Sequence, residues 1–487
     1  MYFIGIDLGT SAVKLLLTDE YGQVRKIVSR DYPLDMPQTG WSQQEPRDWL
    51  EGTYSGLEEL LHGENSSLVA GIGVAGQMHG LVILDAKDEV IRPAILWNDS
   101  RTDEQTKLLN RRLGQQKLTA LTGNIAFAGF TAPKLLWLEA NERENFERIE
   151  KIMLPKDYIV YMLTGIHSCD PSDASGTLLY DVENRCWSKE MMAFCKIEER
   201  QLPKLFESGQ SVGCVKKELC ERFGLKTDVA VCAGAGDNAA AAVGCGVIKE
   251  GMCNLSLGTS GTVFIPSQKF SVDPANALHS FAHANGAWHQ MGCILSAASC
   301  NKWWMELLTA QSYEQEQSGI EAQLGRNKVY YLPYLMGERS PHNDTQARSA
   351  FIGMSMESTR RDMTQSVLEG VSFAIHDCFE AAKKQGIYIK SSMICGGGAK
   401  SRLWCKMLSS VLNVPLALPQ TEQGPSYGGA MLAAVAAGRF KSVSECADAW
   451  VKVAEVIEPD AKLAELYEQQ YNHWKTLYPA LKGKFAK

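Results

Sequence analysis

No stretch of this sequence reaches the ~18 uninterrupted apolar residues that a membrane-spanning helix needs. The nearest, GGAMLAAVAAG at 428–438, is short and alanine-rich and predicts a core helix. Basic runs are missing too: 49 Lys and Arg stand against 56 Asp and Glu, for a formal charge of −7, and none of them line up as a stripe that would track nucleic-acid phosphates. The 14 cysteines are scattered from Cys169 to Cys446 without one CxxC pair. That excludes a zinc clamp and a compact disulfide framework, and predicts reduced, mostly buried thiols. The amino terminus, MYFIGIDLGT, meets an aspartate at its seventh position. It has neither the charged start nor the apolar run of a signal peptide, which predicts a cytoplasmic protein. Also absent are GxxxxGK[ST] and the HRD and DFG signatures, so a nucleotide would have to be held by something other than a P-loop or a protein-kinase cleft.

What is present is an ordinary globular balance, 45% hydrophobic and 22% charged over 487 residues. At ~100–200 residues per domain this length allows two to four domains and a cleft between lobes. The first thirty residues give three apolar runs, Phe3–Ile6, Val13–Leu17 and Val24–Val28, separated by turn residues, the pattern of a β-meander. An amphipathic helix is predicted over 45–61, then strands at 68–74 and 81–84. Further helices are expected at 103–118, 133–150 and 357–385, and a strand at 228–232.

One long-range echo stands out. Ile6-Asp7-Leu8-Gly9-Thr10-Ser11 matches Leu255-Ser256-Leu257-Gly258-Thr259-Ser260, about half the chain later, and each copy lies between two β-rich runs. Two homologous lobes facing each other follow as the leading architecture, with a glycine-rich seam at 244–252.

Each LGTS sits at a strand-to-strand turn, where successive N–H groups and hydroxyls can cradle an anion. One such turn is an ordinary hairpin. Two in matched positions are better explained by a polyphosphate shared between lobes. Asp7 is then the expected site for Mg²⁺, held through water, and Lys14 either neutralises phosphate or lies on a solvated face. Two dinucleotide-like fingerprints are set aside. Gly71-x-Gly73-x-x-Gly76 runs into another strand, and Gly234-x-Gly236-x-x-Ala239 carries Asp237 where a pyrophosphate needs bare N–H groups. Asp237, among small residues at a predicted helix start, is either a cap or the base that takes a hydroxyl proton during phosphoryl transfer. Asn238 beside it can hydrogen-bond a polyol. Gly76-Gln77-Met78-His79-Gly80 has the form of a binding loop. The HxxxH of His279 and His283 lacks a third ligand and is read as structural. In Cys395-Gly396-Gly397-Gly398-Ala399-Lys400, bare backbone between a strand and a helix can lie against a ring or ribose.

Taken together, MYFIGIDLGTSAVK, AGQMHG, PAILWNDSR, GFTAPKLLWL, LPKDYIVYMLTG, AGDNAAAAVG, LSLGTSG, YLPYLMGERSPHND, VLEGVSFA and CGGGAKSRLW resemble the FGGY carbohydrate kinases, in order from Met1 to about Arg439. QMHG and WNDSR follow the family's D-xylulose branch; the glycerol branch carries an arginine and a glutamate in the corresponding loop. The resemblance implies an α/β protein of two ribonuclease-H-like lobes in the actin-like ATPase fold with a central cleft. The sugar lobe would span 1–246 and the adenosine lobe 247–487, ending in a C-terminal helical tail with Trp474 and Tyr478. It implies ATP and Mg²⁺ as cofactors and D-xylulose as the acceptor, with Asp237 deprotonating its 5-hydroxyl. Met78, His79, Asn238 and Trp97 would contact the sugar, Asp7 would organise the metal, and Thr10, Ser11, Gly258 and Thr259 would hold phosphate. Gly397, Gly398 and Ala399 would form the adenosine site, with Arg402 where relatives often carry an asparagine. Ala235 and Ala12 replace glycines common in the family. The expected partners are the sugar and ATP; a homodimer is allowed, and neither nucleic acid nor membrane is expected. A kinase for another ketose or polyol (ribulose, fuculose, glycerol) and a non-catalytic actin-like nucleotide switch stay open as alternatives.

Overall fold

A computed structural model describes residues 1–485. The first three apolar runs form an antiparallel meander, β1 (Tyr2–Leu8), β2 (Ala12–Asp19) and β3 (Val24–Asp31). Helix α1 (Pro46–Leu61) opens on a proline, whose missing N–H costs nothing in a first turn, and returns the chain to β4 (Val69–Gly76), parallel to β1. The helix expected at 103–118 is two helices, Asp103–Arg112 and Gln115–Thr122, broken where Gly114 takes φ 78°. That at 133–150 is likewise divided, into α2 (Thr131–Asn141) and a short Arg143–Glu147 helix, with Glu142 leaving helical geometry between them. Strands β5 (Ser211–Cys214), β6 (Ala230–Cys232) and β7 (Ala235–Gly236) complete the first sheet, which runs β5-β6-β4-β1-β2-β3 with β7 pairing β4. Helix α3 (Asp237–Gly244) follows at once.

The second sheet repeats this plan. β8 (Met252–Leu257), β9 (Gly261–Ser267), β10 (His279–Ala282) and β11 (Trp288–Ile294) lead through α4 (Ala298–Leu307) and the long α5 (Arg360–Lys384) to β12 (Ser391–Cys395) and β13 (Leu416–Pro419). After α6 (Gly424–Ala436), β14 (Val453–Ile457) closes the order β10-β11-β9-β8-β12-β13-β14. As in the first sheet, a central strand has an antiparallel hairpin on one side and a parallel strand on the other. The two LGTS turns join β1 to β2 and β8 to β9. The tail folds as two helices, α7 (Ala461–Trp474) and α8 (Leu477–Phe485), and buried Trp474 donates its indole N–H to Tyr331 O at 2.8 Å.

Each sheet has its own apolar core, and a third cluster joins them around α3 and α6. Helix α6 belongs to the second half of the chain but lies against the first sheet. A Cβ on Gly5 would sit 1.8 Å from Ser426 O, one on Gly73 2.1 Å from Gly429 O, and one on Gly428 1.9 Å from Ala240 O. Only backbone without side chains allows that approach. Gly71-x-Gly73, which resembles a nucleotide fingerprint on paper, is therefore the seat of a helix. Among the described residues no helix is long and apolar enough to cross a membrane.

Candidate active site

The first LGTS turn and the start of α3 come together at the same end of the first sheet. Asp7 stands opposite Lys14 across the β1–β2 pair and beside Ala75 of β4, whose other neighbour, Ala235, is two residues before Asp237. Burial, then the Asp237 charge, push the Asp7 carboxyl up to about 7, with Lys14 opposing. Burial raises Asp237 to about 6 against two hydrogen bonds to its Oδ1, from Asn238 N at 2.6 Å and Asn238 Nδ2 at 2.8 Å. Oδ2 is left for a substrate. Asp237 is close enough to raise Asp7 by its charge, and Lys14 offsets it at Asp7 alone, a charge deficit that a divalent cation would relieve. Among the described residues no group of three or more His, Cys, Asp or Glu side chains could hold a metal ion. A cation here would therefore rest on Asp7, water and substrate phosphate, the arrangement Mg²⁺ favours.

The turn itself is braced from behind. Gly9 N donates to Ala12 O at 3.0 Å, and Tyr32 OH to Gly9 O. The Thr10 hydroxyl donates to Gln77 Oε1 (3.2 Å) and accepts from Trp97 Nε1 (3.0 Å). Thr10 can thus offer an anion its backbone N–H, while its hydroxyl and the Trp97 indole are spent on each other. Ser11 is exposed and Lys14 half-buried.

Gln77 starts the loop after β4, its N–H donating to Leu8 O at 2.8 Å. Met78 packs on the backbone before the candidate base, since a Cβ on Gly236 would lie 2.9 Å from Met78 Cγ. His79 adopts φ 69°. Its Nδ1 lies 2.7 Å from Gly176 O, and a carbonyl can only accept, so Nδ1 carries the proton and Nε2 keeps a lone pair. The ring stacks on Phe130 at 4.6 Å, and burial lowers its pKa to about 3, fixing it as a neutral acceptor.

The second turn is pinned to α4. Ala297 N donates to Thr259 O at 2.9 Å and Ala298 N to Gly258 O at 2.8 Å. Gly396, at φ 89°, brings the glycine run of 396–398 against this turn, where a Cβ would meet Leu257 carbonyl atoms at 2.8 Å. Beside them opens a cavity of about 1290 Å³ lined by Gly258, Thr259, Trp303, Gly397, Gly398 and Arg402, among others. Ala399 is buried behind it. Arg402 is paired with Glu455 at 2.6 Å, so its charge is already matched.

Sequence reasoning assigned no role to several residues that build this site. Lys134 of α2 is fully buried and donates to His79 O (2.7 Å) and Gly129 O (2.8 Å), fixing the backbone of the His79 loop. Lys156, also buried, meets Asp157 Oδ1 at 2.5 Å and Asp170 Oδ1 at 3.0 Å. Asp170 Oδ2 accepts from Ser172 Oγ (2.5 Å), which in turn accepts from Gly236 N (3.1 Å), so this ion cluster anchors the residue before Asp237. A lysine inside the apolar blocks GFTAPKLLWL and LPKDYIVYM was the available signal; the partners that tie each to the site, His79 for Lys134 and Asp170 for Lys156, lie too far along the chain to be paired from sequence. His279 lies in β10, not on a helix, and His283 Nε2 is used on Val247 O at 3.1 Å.

Residues 2–244 match the N-terminal domain of the FGGY family of carbohydrate kinases, and residues 253–437 its C-terminal domain. The xylulose kinase of Escherichia coli K12 is 39% identical over 98% of this chain and 99% of its own length. That of Staphylococcus xylosus is 36% identical over the same shares. Among solved structures, a "xyloylose kinase" from Brucella ovis superposes with a TM-score of 0.95 at 41% identity, covering 99% of this chain and all of that one. Two repeated sheets, paired LGTS turns and a carboxylate opening α3 are thus placed in a known lineage, and the chain belongs to the FGGY family of carbohydrate kinases.

Proposed function

We propose that this chain transfers the γ-phosphoryl group of ATP to the 5-hydroxyl of D-xylulose. The observation that carries the reading is the contact between Met78 and Gly236, which sets the sugar loop against the base. The near full-length relatives that phosphorylate xylulose by name support the substrate. With a pKa of about 6, Asp237 is mostly ionised at neutral pH and still basic enough to take the proton as the hydroxyl attacks in line. Asn238 holds one carboxylate oxygen and leaves its own side-chain oxygen to accept from the sugar; His79 Nε2 accepts from another hydroxyl. The N–H groups of Thr10, Ser11 and Thr259, which no backbone carbonyl takes up among the described residues, face the phosphates from both lobes. Lys14 adds a cation, and the glycine turn at 397–398 with Ala399 takes the adenosine. Mg²⁺, when bound, neutralises phosphate charge, and Asp7 is the residue to hold it. Residues 1–246 thus carry sugar and base, 247–487 carry adenosine, and α6 keeps the two seated together.

The test is sugar-dependent ADP release across D-xylulose, D-ribulose, L-fuculose, glycerol and D-gluconate. Gluconate is included because a solved gluconate kinase from Lactobacillus acidophilus superposes with a TM-score of 0.95 at 26% identity. D-Xylulose should give the highest kcat/KM. A higher value for another sugar overturns the substrate, and no stimulation by any sugar overturns the kinase reading in favour of a nucleotide switch.

A further inference from the structure

The sugar-binding residues named so far all come from the first half of the chain, yet the wall facing them is built by the second. The segment Glu338–Ser340 is fastened to the end of β11. Ser340 N donates to Cys293 O at 2.9 Å, and Cys293 N to Ser340 Oγ at 3.0 Å. Buried Glu338 accepts at Oε1 from both Leu295 N and Arg339 N, each at 2.8 Å. This clamp holds the Arg339 backbone beside the second phosphate turn and sends its side chain toward the first lobe. There the guanidinium lies 5.3 Å from the Phe127 ring centre. Phe127 packs at 5.5 Å on Phe130, which stacks on His79 at 4.6 Å. It also packs at 5.0 Å on His279, whose Nδ1 is 3.3 Å from Asn124 Oδ1. Among the described residues no carboxylate or carbonyl takes up the Arg339 N–H groups, although the side chain is only partly exposed. It is near enough to His79 and His279 to disfavour their charged forms.

We propose that Arg339 is a specificity-determining residue supplied by the second lobe, donating to the oxygens at the end of the ketose remote from the transferred phosphate, the C2 carbonyl and the C1 hydroxyl. The inference rests on the proposed sugar site between Asp237 and His79. If the reacting hydroxyl is at Asp237, the sugar extends toward His79, the end that Arg339 approaches through Phe127 and Phe130. A planar fork of five N–H donors suits a carbonyl with two lone pairs next to a hydroxyl, and a lysine ammonium would not reproduce it. Because Asp237 and His79 sit in the first lobe, a sugar held by Arg339 bridges the lobes, so binding the correct ketose favours the closed arrangement in which phosphoryl transfer occurs.

The test is calorimetry and steady-state kinetics on Arg339→Met, which keeps the apolar stem against Phe127, and Arg339→Lys, with His79→Ala alongside. Arg339→Met should weaken D-xylulose binding by on the order of 10- to 100-fold, the loss expected for charged hydrogen bonds, and change ATP affinity less than about 2-fold. Preference for D-xylulose over xylitol, which has a hydroxyl in place of the C2 carbonyl, should collapse. Arg339→Lys should restore less than half of the loss on a logarithmic scale. Unchanged D-xylulose affinity in a folded Arg339→Met, equal losses for sugar and ATP, or retained discrimination against xylitol overturns the inference. If His79→Ala also leaves sugar affinity unchanged, the underlying sugar site is wrong. If His79→Ala loses affinity and Arg339→Met does not, only the role of Arg339 falls. Should Arg339→Met fail to fold, Arg339→Lys decides: wild-type sugar affinity and xylitol discrimination in it reject a fork-specific contact.

Discussion

Replacing Asp237 by Asn is the most informative single perturbation, because the geometry states what each atom would do. Oδ1 accepts from Asn238 N and Asn238 Nδ2. In the Asn variant those two donors keep the amide oxygen in the same place, which turns the amide nitrogen toward the sugar. That nitrogen can donate a hydrogen bond but cannot take a proton. Shape and most sugar contacts survive while general-base catalysis is lost, a step worth ~10²–10⁴-fold, or roughly 3–5.5 kcal/mol of barrier. The expected outcome is that kcat for D-xylulose falls by that factor while the sugar dissociation constant moves by less than about 3-fold. The pH profile adds a second reading. The wild-type base is active only when deprotonated, so kcat/KM should rise with pH through an apparent pKa near the about 6 of Asp237 and level off above it. At saturating Mg²⁺, which keeps the Asp7 carboxylate ionised, that acidic limb should vanish in the variant. Coupled ADP-release assays from pH 5 to 8, with calorimetric sugar binding, check both. A variant with kcat within 3-fold of wild type, or with the acidic limb intact, would refute the assignment of Asp237 as base.

Gly5→Ala should be far more damaging than its size suggests, since the new Cβ meets a backbone oxygen at 1.8 Å that cannot move without shifting α6. We expect a loss at or above the ~1–3 kcal/mol typical of overpacking, read as a fall in Tm, and a wild-type Tm would refute the close packing. Gly397→Ala is the counterpart: nothing lies within 4 Å of its Cβ, so Tm should hold while KM for ATP rises several-fold; unchanged KM would move adenosine off that backbone. Lys134→Met should raise KM for the sugar by about 10-fold or more and leave KM for ATP within 2-fold, because the amine holds His79 O and not the nucleotide side; equal changes in both would show a general structural role. Glu369, buried on α5 under hydrogen bonds from Gln365, Asn327 and Tyr467, is pushed up to about 7 by burial. Its folded form favours the proton, so this contribution to stability is present below about pH 4.5 and is lost as the pH rises to about 7, by on the order of 3 kcal/mol at most. Glu369→Gln should flatten the fall of Tm from pH 5 to 8; parallel curves for the two proteins would refute it.

The features that the sequence determined by itself are those set by neighbours along the chain. The meander of residues 2–31, the helix opening at Pro46 and the two LGTS turns each follow from alternation and turn chemistry within a few residues. Asp237 stood out for the same reason, as a carboxylate among small residues at a helix start. Helix ends were less legible, because Gly114 and the residues around Glu142 break helices whose apolar pattern runs on past them.

Everything that depends on residues far apart in the chain waited for the tertiary structure. Gly71-x-Gly73 reads as a nucleotide loop until α6 is found lying on it. Thr10 offers a hydroxyl until Gln77 and Trp97 use it. Lys134 and Lys156 look like interruptions in apolar helices until their distant partners come into reach, Lys134 on the carbonyl of residue 79 and Lys156 on the carboxylate of 170. The physical reason is common to all of them. A side chain's chemistry is a local property, but whether its hydrogen bonds and charge remain free for a ligand depends on which distant groups the fold has already placed against it.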